Sequence, residues 1–114
     1  MRENIIVSKT IEFSLRIISF VDVLEEAKKY VIAKQLMKSG TSIGANIHEA
    51  QNAESRADFI HKVKIAAKEV EETKYWLLLC KKSELYPFDT KLEEQINEIG
   101  LIIYKILSSS KKSK

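Results

Sequence analysis

At 114 residues, with 45% hydrophobic and 31% charged side chains, the chain is long enough for one domain whose core needs neither disulfides nor a metal, and its single cysteine, Cys80, excludes an intrachain disulfide. Only 3 glycines and 1 proline interrupt it, the punctuation of an all-α protein with short connections. The net charge of +3 excludes a polycationic body, because Lys111, Lys112 and Lys114 of the terminal SSSKKSK account for it and residues 1–110 carry 16 basic and 16 acidic side chains.

The first segment, about Ser8 to Ala27, places Phe13, Ile17, Phe20, Leu24 and Ala27 at alternating spacings of four and three, a helical seam. Ile11, Leu15 and Ile18 form an adjoining line, so the apolar face is wide enough to touch two neighbours or a second subunit. No Gly, Pro, Ser or Asn marks a turn between Glu25 and Val31. A continuous helix from Ser8 to Asn52 would nevertheless be roughly 68 Å long at about 1.5 Å per residue, so a break is expected near Ala27 to Tyr30.

The second segment, about Val31 to Asn52, contains SGTSIGANIHEA at 39–50. Leu36, Gly40, Ile43, Ile47 and Ala50 share one stripe, a core seam, and Ser39, Ser42, Asn46 and Glu49 form a polar ridge beside it. Ala33, Met37, Gly40 and Gly44 make a third line on the other flank of the seam. Glycine costs about 1 kcal/mol relative to alanine inside a helix, so Gly40 and Gly44 predict the close approach of another helix. The third segment is a bundle helix with the seam Phe59, Val63, Ala66, Val70, Thr73, Leu77 and Cys80. Ser55 with Asp58 is its expected N-cap, and Lys81 and Lys82 suit its C-terminal dipole. Trp76 and Leu79 lie off the seam. The proline of SELYPFDT introduces a last helix that opens with Thr90 and Glu93 in capping-box spacing; its seam is Leu92, Ile96, Ile99, Ile103 and Ile106, and it ends near Ser108. Four helices with short connections predict an antiparallel up-down-up-down four-helix bundle over residues 1–110, followed by a disordered basic tail, 111–114.

No catalytic constellation, cofactor site or metal cluster is expected from these residues. Asp58 and His61 have the spacing found in carboxylate-bridged di-iron bundles, but no second pair or further inward glutamates accompany them, and His48 and His61 lie off the seams. Glu69, Glu71 and Glu72 are flanked by Lys68 and Lys74 and are read as a solvated face with ion pairs. Cys80 sits in a seam, as a small core residue does. Ser39 and Asn46 lie close enough to the core seam to need hydrogen-bond partners, for which Glu69 or Glu72 of the third helix are the expected ones, in a network that fixes register or oligomer geometry; the alternative is that the ridge lines a ligand or nucleic-acid groove. Apolar runs such as Tyr75 to Cys80 are far shorter than the ~18 residues of a membrane span, and no signal peptide is apparent, so a cytoplasmic protein without a membrane partner is expected.

Gln35 and Leu36, then SGTSIGANIHEA, Ser55, Asp58-Phe59 and KEVEETKYWLLL at 68–79 together resemble the four-helix-bundle family encoded in 23S rRNA intervening sequences, over about residues 30–82. Ser42-Ile43, Asn46-Ile47 and Glu49-Ala50 stand at its characteristic positions. The resemblance implies a left-handed antiparallel bundle assembled as a ring-like homopentamer with no established enzymatic activity. On that reading Ser39, Gly40, Ser42, Ile43, Gly44, Asn46, Ile47, Glu49, Ala50, Phe59, Glu69 and Glu72 are the residues of packing and assembly. A related branch, the accessory variability determinants of diversity-generating retroelements, is similar in fold and binds nucleic acid; this chain differs from it in its neutral body. The alternative expectation is therefore RNA or DNA binding through Lys62, Lys64 and Lys68 with the tail residues Lys111, Lys112 and Lys114.

Overall fold

The computed structural model describes residues 4–112, which form four α-helices and no strand: α1 (Ile5–Glu26), α2 (Tyr30–Ala50), α3 (Arg56–Lys82) and α4 (Thr90–Lys112). Each helix packs on its sequence neighbours and α4 closes on α1, while the diagonal pairs α1/α3 and α2/α4 do not approach each other. The result is an elongated body of 49 × 22 × 21 Å, its length set by helices of up to 27 residues.

The seams converge on one core. Phe13, Ile17 and Leu24 of α1, Leu36, Ile43 and Ile47 of α2, Val63 and Val70 of α3, and Leu92, Ile96, Ile99 and Ile103 of α4 are essentially fully buried. Ile106 and Phe59 are half-buried against the edge of that core. Two ends depart from the expected pattern. Ala27 is exposed because it caps α1 instead of continuing its seam, and α1 starts before Ser8, which adds Ile6 to the buried side, where Thr10 also lies.

The turn that no glycine or proline announces lies at Ala27–Lys29. Lys28 adopts φ 65°, in the left-handed region, and its N–H donates to Glu25 O at 2.9 Å while Lys29 N–H donates to Leu24 O at 2.8 Å. These two bonds make a Schellman motif with a lysine where glycine is usual. A left-handed L-residue costs roughly 1 to 2 kcal/mol, and glycine returns about 0.5 to 1 kcal/mol of that as unfolded-chain entropy. Lys28→Gly should therefore raise stability by roughly 0.5 to 1 kcal/mol, read as a higher urea midpoint with an unchanged slope.

Ser55 caps α3 as expected, its hydroxyl accepting from Asp58 N–H at 3.0 Å. At α4 the capping residue is Asp89, not Thr90. The Asp89 carboxylate accepts from Lys91 N–H (3.0 Å) and Leu92 N–H (3.3 Å), and Glu93 turns away to Lys81 at 2.8 Å. A carboxylate is the stronger acceptor at a helix N-terminus, which explains why it displaces the expected hydroxyl. α4 also runs past Ser108 through Lys112. Arg56 at the start of α3 donates to Ser110 O at 2.9 Å, satisfying one of the carbonyls that the end of α4 leaves open. Ser113 and Lys114 of the expected tail lie outside the described residues.

Candidate functional site

The SGTSIGANIHEA stretch occupies the C-terminal half of α2, between α1 and α3. Its glycines face α1. A Cβ on Gly40 would lie 2.9 Å from Ile17 Cγ1, and one on Gly44 would lie 3.3 Å from Thr10 Cβ. The backbone of α2 can approach α1 this closely only because both positions lack side chains. Thr10, buried at that contact, returns its hydroxyl to Ile6 O and Val7 O, each at 3.0 Å.

The polar ridge faces α3 of the same chain. Ser39 is buried, and its Oγ accepts a 2.9 Å hydrogen bond from Thr73 Oγ1, itself fully buried in the middle of α3. Asn46 is half-buried and donates to Ser42 O at 2.9 Å, while the Ser42 hydroxyl donates to Lys38 O at 2.6 Å. Glu49 closes the ridge through Lys62 Nζ at 2.9 Å, and that contact, chiefly the hydrogen bond and then the charge, raises the Lys62 pKa above its ordinary value. Glu69 and Glu72 do not join Ser39 or Asn46. Glu72 accepts from Trp76 Nε1 at 3.2 Å, and Glu69 stays at the half-buried edge of the helix pair. The reason is desolvation: two hydroxyls satisfy each other inside a core at little cost, whereas a carboxylate there would lose its hydration.

Glu69 records that cost. Partial burial, followed by repulsion from Glu72, raises its pKa, against an opposing pull from Lys38. A carboxyl whose folded pKa lies above its unfolded one destabilises the fold once pH exceeds the ordinary carboxylate range, and not below it. Glu69→Gln should accordingly be more stable than the parent at pH 7, with the difference vanishing as pH falls below about 4; thermal melts at the two pH values check this.

Groups suited to chemistry are dispersed. His48 and His61 are exposed, and among the described residues no group of three or more His, Cys, Asp or Glu could hold a metal ion. Cys80 is buried and its thiol is pushed up to about 11 by that burial, leaving little thiolate at neutral pH. Lys64 and Lys68 are exposed on α3. Among the described residues no helix is long and apolar enough to cross a membrane.

One feature was only half visible in the seams. Ile11, Leu15 and Ile18, the line adjoining the α1 seam, are 45%, 61% and 42% exposed and are not among the residues packed on the core. The width of the apolar face was the available signal, and its outward placement needed the neighbouring helices to be known.

The family model described as 23S rRNA-intervening sequence protein matches residues 2–105. Among solved structures, the chain is similar to a protein of unknown function from the S23 ribosomal protein family of Bacteroides thetaiotaomicron VPI-5482, with 41% identity and a TM-score of 0.84 over 90% of this chain and 97% of that one. No curated protein matches the chain.

Proposed function

The chain belongs to the 23S rRNA-intervening sequence protein family, and we propose that it acts there without catalysis, as a helical bundle that assembles with copies of itself into a ring of five. The observation that carries this reading is the exposed line of Ile11, Leu15 and Ile18 on α1. A helix that is apolar on its solvent side as well as its core side asks for a second cover. The SGTSIGANIHEA residues serve that assembly indirectly, by fixing α1 and α3 on either side of α2 so that the outer surface of the bundle has one shape. Light scattering or native mass spectrometry at tens of micromolar protein tests it. A mass of several copies is the expected result, and a monomer would reject the reading.

A second reading, contact with RNA or DNA, is supported by the exposed ammonium groups of Lys64 and Lys68 on α3, the helix with the largest excess of basic side chains. Lys62 contributes less, because it is paired with Glu49. Such binding would be mainly electrostatic and would weaken steeply with salt. Absence of binding even near 50 mM salt would remove this reading.

A further inference from the structure

Charge is divided unevenly along the α3/α4 pair. Residues 56–68, the first half of α3, hold four basic side chains and one acid, and residues 99–114, from the middle of α4 onward, hold four basic side chains and no acid. Residues 69–98, between those two segments, hold eight acids and four bases. Folding brings the two basic segments together, since Arg56 at the start of α3 donates to Ser110 O near the end of α4 at 2.9 Å. The zero net charge of residues 1–110 therefore hides a cationic half-face.

Three of its lysines are open to a ligand. Lys64, Lys68 and Lys105 are exposed, and among the described residues no acid forms an ion pair with them, whereas Lys62 is held by Glu49 at 2.9 Å. Beside Lys105 stands Tyr104, 69% exposed, a flat ring on a cationic surface. Tyr104 also walls a depression of about 170 Å³ whose apolar lining includes Ala67, Val70, Gly100 and Ile103. A cavity of about 150 Å³ admits a benzene ring, so the edge of a nucleobase has room there. The acid of this depression, Glu71, lies toward the acidic half of α3 and is paired with Lys74 at 3.8 Å.

Unpaired cations around an open aromatic ring are what a single strand of nucleic acid needs: phosphates meet the ammonium groups and a base stacks on the ring. A duplex offers the same phosphates, but its bases are already stacked on one another and leave the ring unused. We infer that this half-face binds a single strand, with one base on Tyr104 over the depression and the flanking phosphates on Lys64, Lys68 and Lys105. This rests on the second reading above and deepens it, by naming the form of nucleic acid and the residue that tells it from a duplex.

Fluorescence anisotropy of a labelled oligothymidylate near 50 mM salt tests this. Tyr104→Ala should weaken binding by about 5- to 150-fold, the range for losing one stacked base, and Tyr104→Phe should bind like the parent. Tyr75→Ala removes a comparably exposed ring from the acidic half, near Glu71 and Glu72, and should change nothing. Lys64→Gln and Lys68→Gln should each weaken binding and flatten the log–log salt slope by about 0.7. All four positions are exposed, so helicity by circular dichroism should stay as in the parent. If the strand binds but Tyr104→Ala loses nothing, or if a duplex or polyglutamate binds as well as the single strand, the single-strand site is wrong while binding of polyanions stands. Binding lost on deletion of residues 111–114 and untouched by Lys64→Gln and Lys68→Gln would likewise overturn the half-face. No binding by the parent would reject the nucleic-acid reading itself, and this site with it.

Discussion

Gly40→Leu is expected to destabilise the bundle by about 1 to 3 kcal/mol, the range for overpacking a filled interior. The sign is informative, because leucine is the better helix former by up to about 1 kcal/mol and an exposed glycine would give the opposite result. The penalty arises at Ile17, fully buried and only 2.9 Å from where the first added carbon would sit. Ile17 has no free volume to move into without displacing other core side chains. Gly100→Ala is the control: its new carbon would make ordinary contacts at 3.5 Å or more, so it should gain up to about 1 kcal/mol from helix propensity. Denaturant unfolding of the two variants, one less and one more stable than the parent, checks both.

The second large effect concerns the hydroxyl pair at the α2/α3 contact. Ser39→Ala should cost about 1 to 3 kcal/mol, because it leaves the Thr73 hydroxyl buried without its acceptor. Thr73→Val should cost a similar amount from the other side, about 1 to 3 kcal/mol. Combining the two removes both polar groups and keeps the shape, so the double variant should be nearly as stable as the parent. A double-mutant cycle measures this directly, with a coupling of at least about 1 kcal/mol expected. Strict additivity of the two losses would mean that the hydroxyls do not depend on each other.

Periodicity made the four helices and most of the core legible, since Phe13, Ile43, Val70 and Ile99 each fall on a seam that any amphipathic helix must bury. It was silent at Lys28, because a lysine in the left-handed region looks like any other lysine and the Schellman bonds involve only backbone atoms. It named Thr90 instead of Asp89 because spacing identifies a candidate cap but does not rank two acceptors one residue apart. The candidate site shows the same division. The need of Ser39 for a buried partner could be read from its place beside the seam. Its partner could not, because Thr73 and Glu69 lie four residues apart on α3, and the choice between them is made by the axial offset of two helices, about 6 Å at most.

The uneven grip of the helices on one another has a consequence for dynamics. α2 packs extensively on both of its neighbours, whereas α4 makes the lighter contacts of the bundle. The least anchored element opens first, so amide protons of α4 should exchange with solvent ahead of those in the middle of α2. Opening of α4 alone would expose less surface than global unfolding, so its exchange should depend less steeply on denaturant than that of α2. The helix that closes the bundle is thus the one through which it first opens.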